Sequence, residues 1–198
     1  ADQLFTAYYV NVLKPLKGAR ELIAEDPISP TETEAQKKNK LAVIDILEVY
    51  AYADLLSIFG NIPYTDALNI ENLNPKYDDA MTVYSDLFNR LDADIAVITA
   101  NEDPSINETR SFDAADFIYN GNASKWKAFA IVLKLKMAIT IADGSTIAQS
   151  EFEAALSQLS GLTFYEGLFP YAGTSPNTNP IYTRSEEHTS ELQSRQSI

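Results

Sequence analysis

The sequence predicts an all-α protein built of antiparallel helix pairs joined by long irregular loops. Apolar residues recur at three- and four-residue spacing through three long segments, 41–58, 84–98 and 126–141, which is the period of a buried helix face. Each segment is flanked by capping residues, glycine or proline, and no segment alternates apolar and polar residues as a half-buried strand would.

Taken in order, Leu4, Tyr8 and Val12 form a stripe at i, i+4 and i+8, and Pro15 is expected to kink or end that helix before a short run through Ile23. Ser29 then reads as an N-cap, with Pro30 at the first helical position and Glu32 completing a capping box. The helix that follows is expected to reach Phe59. It carries Leu41, Ile44, Leu47, Ala51, Leu55 and Ile58 on one face and Val43, Ile46 and Tyr50 on another, leaving Asp45, Glu48 and Tyr52 as a polar strip. At 1.5 Å per residue about 30 residues span roughly 45 Å, and a helix this apolar needs neighbours on two sides. It is expected to be central.

The stretch FGNIPYTDAL, 59–68, stops this helix. Gly60 supplies a left-handed position after the last turn, Pro63 keeps the helix from resuming, and Tyr64 with Asp66 can pin the loop. Pro75 precedes Asp78 and Asp79, acids placed to favour the positive end of the next helix. That helix is expected to run to about Ala100, with Tyr84, Phe88, Leu91, Ile95 and Ile98 at 4-3-4-3 spacing. A polar connection over 101–122 should be ordered, given Phe112, Phe117, Ile118 and Tyr119 within it. Asn122 or Ser124 opens a third helix carrying Trp126, Phe129, Ala130, Leu133, Met137 and Ile141, ended by Asp143-Gly144. Ser150 with Glu153 forms a second capping box for a short helix stopping at Gly161, and 163–182 reads as loop.

Composition narrows the function. With 198 residues, 45% of them hydrophobic, the chain can bury one core. A net charge of −13 with no basic cluster repels a phosphate backbone, which excludes nucleic acid as a partner. Cysteine is absent, so disulfides, thiolate nucleophiles and Cys-based metal sites are excluded together. The single histidine is His188, which leaves no His for a triad, a metal pair or acid–base chemistry in the helical part. No phosphate-cradling glycine loop occurs, and NEDPSINE lacks the alternating acids and central glycine of a calcium loop. No catalytic residue, cofactor or metal ligand is therefore assigned; the many acids read as solvated faces and caps. No apolar run is long enough to span a membrane and no signal peptide is recognisable. The chain opens inside an apparent helix and reads as cut from something longer.

Tyrosine and phenylalanine are numerous, at 11 and 9. Most lie at helical spacing and belong to the core, which leaves the loop aromatics Tyr64, Tyr119, Tyr165, Phe169 and Tyr171 as ligand candidates. Tyr64, Tyr119 and Tyr171 lead, since a ring face can stack on the C–H face of a sugar while the hydroxyl hydrogen-bonds. Trp126 shares a stripe with Phe129, Ala130 and Leu133 and is expected to be buried and structural. The last residues, SEEHTSELQSRQSI (185–198), lose all periodicity and resemble a translated sequencing adapter. They are expected to be peripheral and non-native. The helical domain is then 1–184, with 25 acids and 14 bases.

Three motifs stand in order: GNIPYTDAL after a long helix, NPKYDD opening the helix that carries VYSDLFNRLDADI, and DFIYNGNASKWKAFAIVLKLKMAI. Together they closely resemble the SusD/RagB family, specifically the SusD-like outer-membrane lipoproteins of Bacteroidota, over most of 1–183. The resemblance marks Gly60, Pro63, Tyr77 and Trp126 as structural positions. Lys136 and Thr140 stand where the family usually carries arginine, and Ile131-Val132 where it usually has Asn-Ser, a departure that touches a polar network in the third helix. The resemblance implies tetratricopeptide-like helix pairs in a longer protein, lipid-anchored at the extracellular face of the outer membrane. It further implies a non-enzymatic subunit, without cofactors, that captures a glycan or other oligomeric nutrient and passes it to a TonB-dependent, SusC-like transporter. On the residues alone, a helical scaffold for protein partners and a glycoside hydrolase remain alternatives.

Overall fold

The computed structural model describes residues 2–72, 74–102, 109–160 and 162–163, all within the unit 1–166. Its first helix, α1, is continuous: α-helical over Asp2–Ala7, π-helical over Tyr8–Leu13 and α-helical again over Lys14–Glu25. Pro15 thus does not end it. The Lys14 N–H reaches back five residues to the Tyr9 carbonyl, and this widened turn takes up the clash that a proline ring otherwise makes with the preceding turn. The buried stripe is also one residue out from the expected one. Leu4 and Val12 are exposed, while Leu13 is buried and Phe5 and Tyr9 pack on the core. Apolar residues occupy both stripes, and the pair of rings decides between them: Phe5 meets Phe59 edge-on at 5.2 Å and Tyr9 meets Tyr52 at 6.5 Å.

The second helix, α2, spans Glu34–Phe59 and starts at Glu34 instead of Pro30. Thr33 is a competing N-cap: its hydroxyl accepts from Gln36 N at 3.1 Å, while the Gln36 side chain donates to the Ser111 carbonyl at 2.8 Å. Ser29 takes part in a turn instead, its carbonyl accepting from Glu32 N at 2.9 Å, and the Glu32 carboxylate pairs with Lys40 at 2.8 Å. Helix α2 is central, packed against α1 and two later helices. Ile58 and Tyr50, expected inside, lie on its outer side at 53% and 38% exposure.

Helix α3, Ala80–Ala100, is capped by Asp79, which accepts from Thr82 N at 3.0 Å. Tyr84, Phe88, Leu91, Ile95 and Ile98 are all buried, as their spacing requires. Helix α4, Ala123–Thr140, is capped by Asn122. Helix α5, Ala148–Gln158, starts without a side-chain cap. The Ser150–Glu153 box does not form, because Ser150 sits inside the first turn and donates back to the Ile147 carbonyl. Gly161 lies outside the described residues.

Successive helices run in opposite directions. Arg20 of α1 meets Asp45 of α2 while Tyr8 meets Asp54, and Lys134 of α4 meets Asp92 of α3 while Lys127 meets Glu102 beyond its end. The result is a set of antiparallel pairs around a core of Leu13, Val49, Leu55, Leu87, Phe88, Leu91, Trp126 and Met137. Among the described residues there is no strand, only isolated bridges at Ile62–Asp78 and Arg110–Asn122.

Candidate functional site

The polar strip of α2 faces inward, contrary to its expected solvent-facing place. Asp45, Glu48 and Tyr52 turn toward α1 and α3, where Arg20 and Arg90 meet them. Arg90 Nε and Nη2 donate to Asp45 at 3.0 and 2.6 Å, Nη2 also reaches Glu48 at 2.9 Å, and Nη1 donates to the Tyr64 hydroxyl at 2.9 Å. Arg20 Nη1 adds contacts at 3.0 Å to Asp45 and 3.2 Å to Glu48. The Tyr64 hydroxyl in turn donates to Asp86. Burial pushes the Glu48 carboxyl up, against the pull of Arg20 and Arg90. Burial also pushes Tyr52 up to about 12 and raises Tyr64. Asp94, beside Asp45, is raised to about 9, first by burial and then by the neighbouring carboxylate.

This cluster forms the floor of a half-open cleft of about 210 Å3, lined by Leu13, Lys17, Arg20, Glu48, Tyr52, Tyr64, Thr65 and Arg90 together with Ala67 and Leu68. The wall is the turn after α2, and the sequence locks it. Gly60 has φ of 72° with ψ of −121°, a conformation that a side chain disfavours. Asp78 accepts from Tyr64 N at 3.1 Å and Thr65 N at 2.7 Å, and these bonds, the Thr65 N–H first, hold its carboxyl below the ordinary range. Asn61 Oδ1 accepts from Ala80 N at 2.9 Å, and Tyr9 OH donates to the Pro63 carbonyl at 2.6 Å. GNIPYTDAL and NPKYDD are thus two halves of one hydrogen-bonded unit. Asp66 does not do the pinning expected of it; Asp78 does.

A second loop is locked the same way. Asp116 accepts from the backbone N–H groups of Ile118, Tyr119 and Gly121 at 2.9, 3.0 and 3.1 Å, and from Trp126 Nε1 at 2.7 Å. Trp126 is 2% exposed. Tyr119 is itself buried, its ring edge-on to Trp126 at 5.0 Å, and packing therefore removes it from the ligand-facing set. Tyr64 is half-buried at the cleft. Tyr77 is largely exposed, stacked on Phe5 at 6.5 Å. Tyr165, Phe169 and Tyr171, like the stretch 185–198, lie outside the described residues. Lys136 pairs with Asp54 at 2.9 Å and lies over the Tyr50 ring, and Lys134, 1% exposed, pairs with Asp92 and Glu151. Among the described residues no group of three metal-ligating side chains occurs, and no helix is long and apolar enough to cross a membrane.

What sequence reasoning missed is the Arg20–Arg90 cluster. The available signal was the strip itself: acids at i and i+3 on a helix needing cover on two sides are more economically paired than solvated.

Antiparallel helix pairs with connections locked by side-chain carboxylates define a helical scaffold for structured loops. The family model SusD-like_2, described as "Starch-binding associating with outer membrane", matches residues 1–196, and the chain belongs to this family. The match runs to residue 196, through most of the stretch 185–198 expected to be foreign. Among solved structures, a chitin-binding SusD homolog from Flavobacterium johnsoniae is 25% identical with a TM-score of 0.72, covering 91% of this chain and 35% of that one. A SusD homolog from Bacteroides uniformis is 28% identical with a TM-score of 0.64, covering 90% and 33%. A chitin-binding protein is 27% identical with a TM-score of 0.62, covering 83% and 31%. The chain therefore spans about a third of the length of these relatives. No curated protein matches.

Proposed function

We propose that this chain is part of a non-enzymatic cell-surface subunit that binds a glycan and delivers it to a TonB-dependent, SusC-like outer-membrane transporter, with a lipid anchor holding the protein at the extracellular face. The observation that carries the reading is the family match over nearly the whole chain, supported by the likeness to a chitin-binding SusD homolog. The carboxyls favour binding over turnover. Glu48 is held by two arginines and Asp94 is 7% exposed against Asp45, so neither is free to serve as the acid or nucleophile of a hydrolytic pair. Tyr64 and Tyr171 remain the proposed ligand-contacting aromatics.

Incubation with chitin- and starch-derived oligosaccharides, following retention and product release together, tests this reading. Retention without products is expected. Cleavage that disappears on neutralising an acid pair, or no retention of any glycan, overturns it. Co-purification with a neighbouring transporter from native membranes tests delivery. Residues 185–198 are proposed to be foreign to the gene; an independent clone that reads through them into a long open frame would sink that idea.

A further inference from the structure

A second cleft, of about 390 Å3, adjoins the one at Tyr64 along α1; it is lined by Lys14, Gly18, Glu21, Asn69 and Ile70 and shares Lys17 and Leu68 with the first. Lys17 Nζ donates to the Leu68 carbonyl at 3.0 Å and forms the partition between them.

Three features of this trench are unexplained by the packing of the chain itself. Tyr52 lines the inner cleft, and its hydroxyl, which is not fully enclosed, hydrogen-bonds to no described residue. Gly18 lies in the interior of α1, where glycine is a poor helix former, and a Cβ there would meet nothing within 4 Å. A glycine that neither a turn nor a neighbour requires leaves the backbone bare for close approach from outside. Ile70 is 91% exposed and forms an apolar lip over the outer cleft.

The chemistry of the lining selects the ligand. The cations Lys17, Arg20 and Arg90 are answered by Glu21, Glu48 and Asp45, which leaves Lys14 at the outer cleft as the single excess charge of the lining. Donors remain: Arg20 enters the ion pairs through Nη1 alone. Nearly balanced charge, spare donors, a tyrosine hydroxyl open to the cleft and an apolar lip suit a polyhydroxylated ring. Cavities of about 210 and 390 Å3 stand at or below the lower end of the roughly 300–1,000 Å3 of drug-sized sites, enough for about one ring each.

We propose that this trench is a glycan subsite holding two consecutive units of a neutral oligosaccharide, one on each side of the Lys17–Leu68 bridge. It rests on the glycan-binding reading above and adds the place of contact and the neutral character of the sugar.

Calorimetric titration of the 198-residue chain with diacetylchitobiose, maltose and their hexamers tests the proposal, using Gly18→Leu and Tyr52→Phe beside the wild type. Gly18→Leu fills the outer cleft and improves the helix, so binding should weaken at least about 10-fold with the melting temperature unchanged or raised. Tyr52→Phe should weaken binding about 3- to 10-fold, the loss of one hydrogen bond. Equal affinity in all three proteins overturns the trench and leaves glycan binding to another surface. No binding of any probe by the wild type overturns the trench and the glycan reading together.

Discussion

Arg90 of α3 holds Asp45 of α2 by two parallel hydrogen bonds, Nε to Oδ2 at 3.0 Å and Nη2 to Oδ1 at 2.6 Å, the fork geometry that guanidinium and carboxylate share. The same side chain reaches Glu48 and Tyr64, so one residue ties the central helix to α3 and to the turn after α2. Arg90→Met strands two largely buried carboxylates. The expected cost is about 3 kcal/mol, at the low end for a broken buried pair because Arg20 still faces both acids. Arg90→Lys keeps the charge without the fork and should cost less. Urea denaturation midpoints of the two variants test the order; equal midpoints would refute it.

Trp126 and Asp116 form the corresponding lock in the loop before α4. Trp126→Ala removes a fully buried ring and should cost about 3–5 kcal/mol. Asp116→Ala leaves the N–H groups of Ile118, Tyr119 and Gly121 and the indole without their acceptor, and should cost about as much as the tryptophan. Amide exchange distinguishes the two. Asp116→Ala should release the protection of residues 118–121, whereas Trp126→Ala should lower the stability of the whole core.

Three glycines should rank oppositely to any rule based on glycine content. Gly121 has φ of 80° and a Cβ there would stand 2.3 Å from Asp113 N, so Gly121→Ala should be the most damaging. Gly60, with φ of 72° but nothing within 4 Å, should cost about 1–3 kcal/mol on substitution by Ala, from backbone strain alone. Gly18→Ala should stabilise by about 0.4–1 kcal/mol. Thermal melts of the three variants check this order, and a destabilised Gly18→Ala would reveal a constraint that the packing does not show.

The extent of α3, α4 and the long α2 was legible because each is apolar on a three-four period and ends in a local signal. Starts were less legible where two signals competed, as Ser29 with Thr33 before α2, because a cap is decided by which turn the following helix can pack. The π-turn of α1 left no mark in sequence beyond Pro15 itself. At the cleft, the aromatics of the loops could be named but not sorted. Tyr119 and Tyr64 look alike as loop residues, and they differ only in what is folded over them, Trp126 in one case and an open edge in the other. The inward turn of Asp45 and Glu48 depends on Arg20 and Arg90, which are 25 and 45 residues from Asp45 and carry no local sign of the pairing.

Asp94 gives the cluster a dependence on pH. Its carboxyl is raised from 3.8 to about 9, first by burial and then by the Asp45 carboxylate with which it shares a hydrogen bond; Glu48 adds repulsion and Arg90 opposes it. Between these two values the folded chain keeps a proton that the unfolded chain has lost. Stability contributed here therefore falls as pH rises from about 4 toward 9, by at most about 1.4 kcal/mol per pH unit for one proton. Asp94→Asn presents an N–H to Asp45 as the protonated acid does, but cannot ionise. Its stability relative to wild type should accordingly increase with pH through this window, whatever the other groups contribute to each curve. Guanidinium chloride unfolding of both proteins from pH 5 to pH 9 measures the difference. Parallel curves would mean that Asp94 is ionised in the folded protein, and that Arg90 outweighs burial and Asp45 at this position.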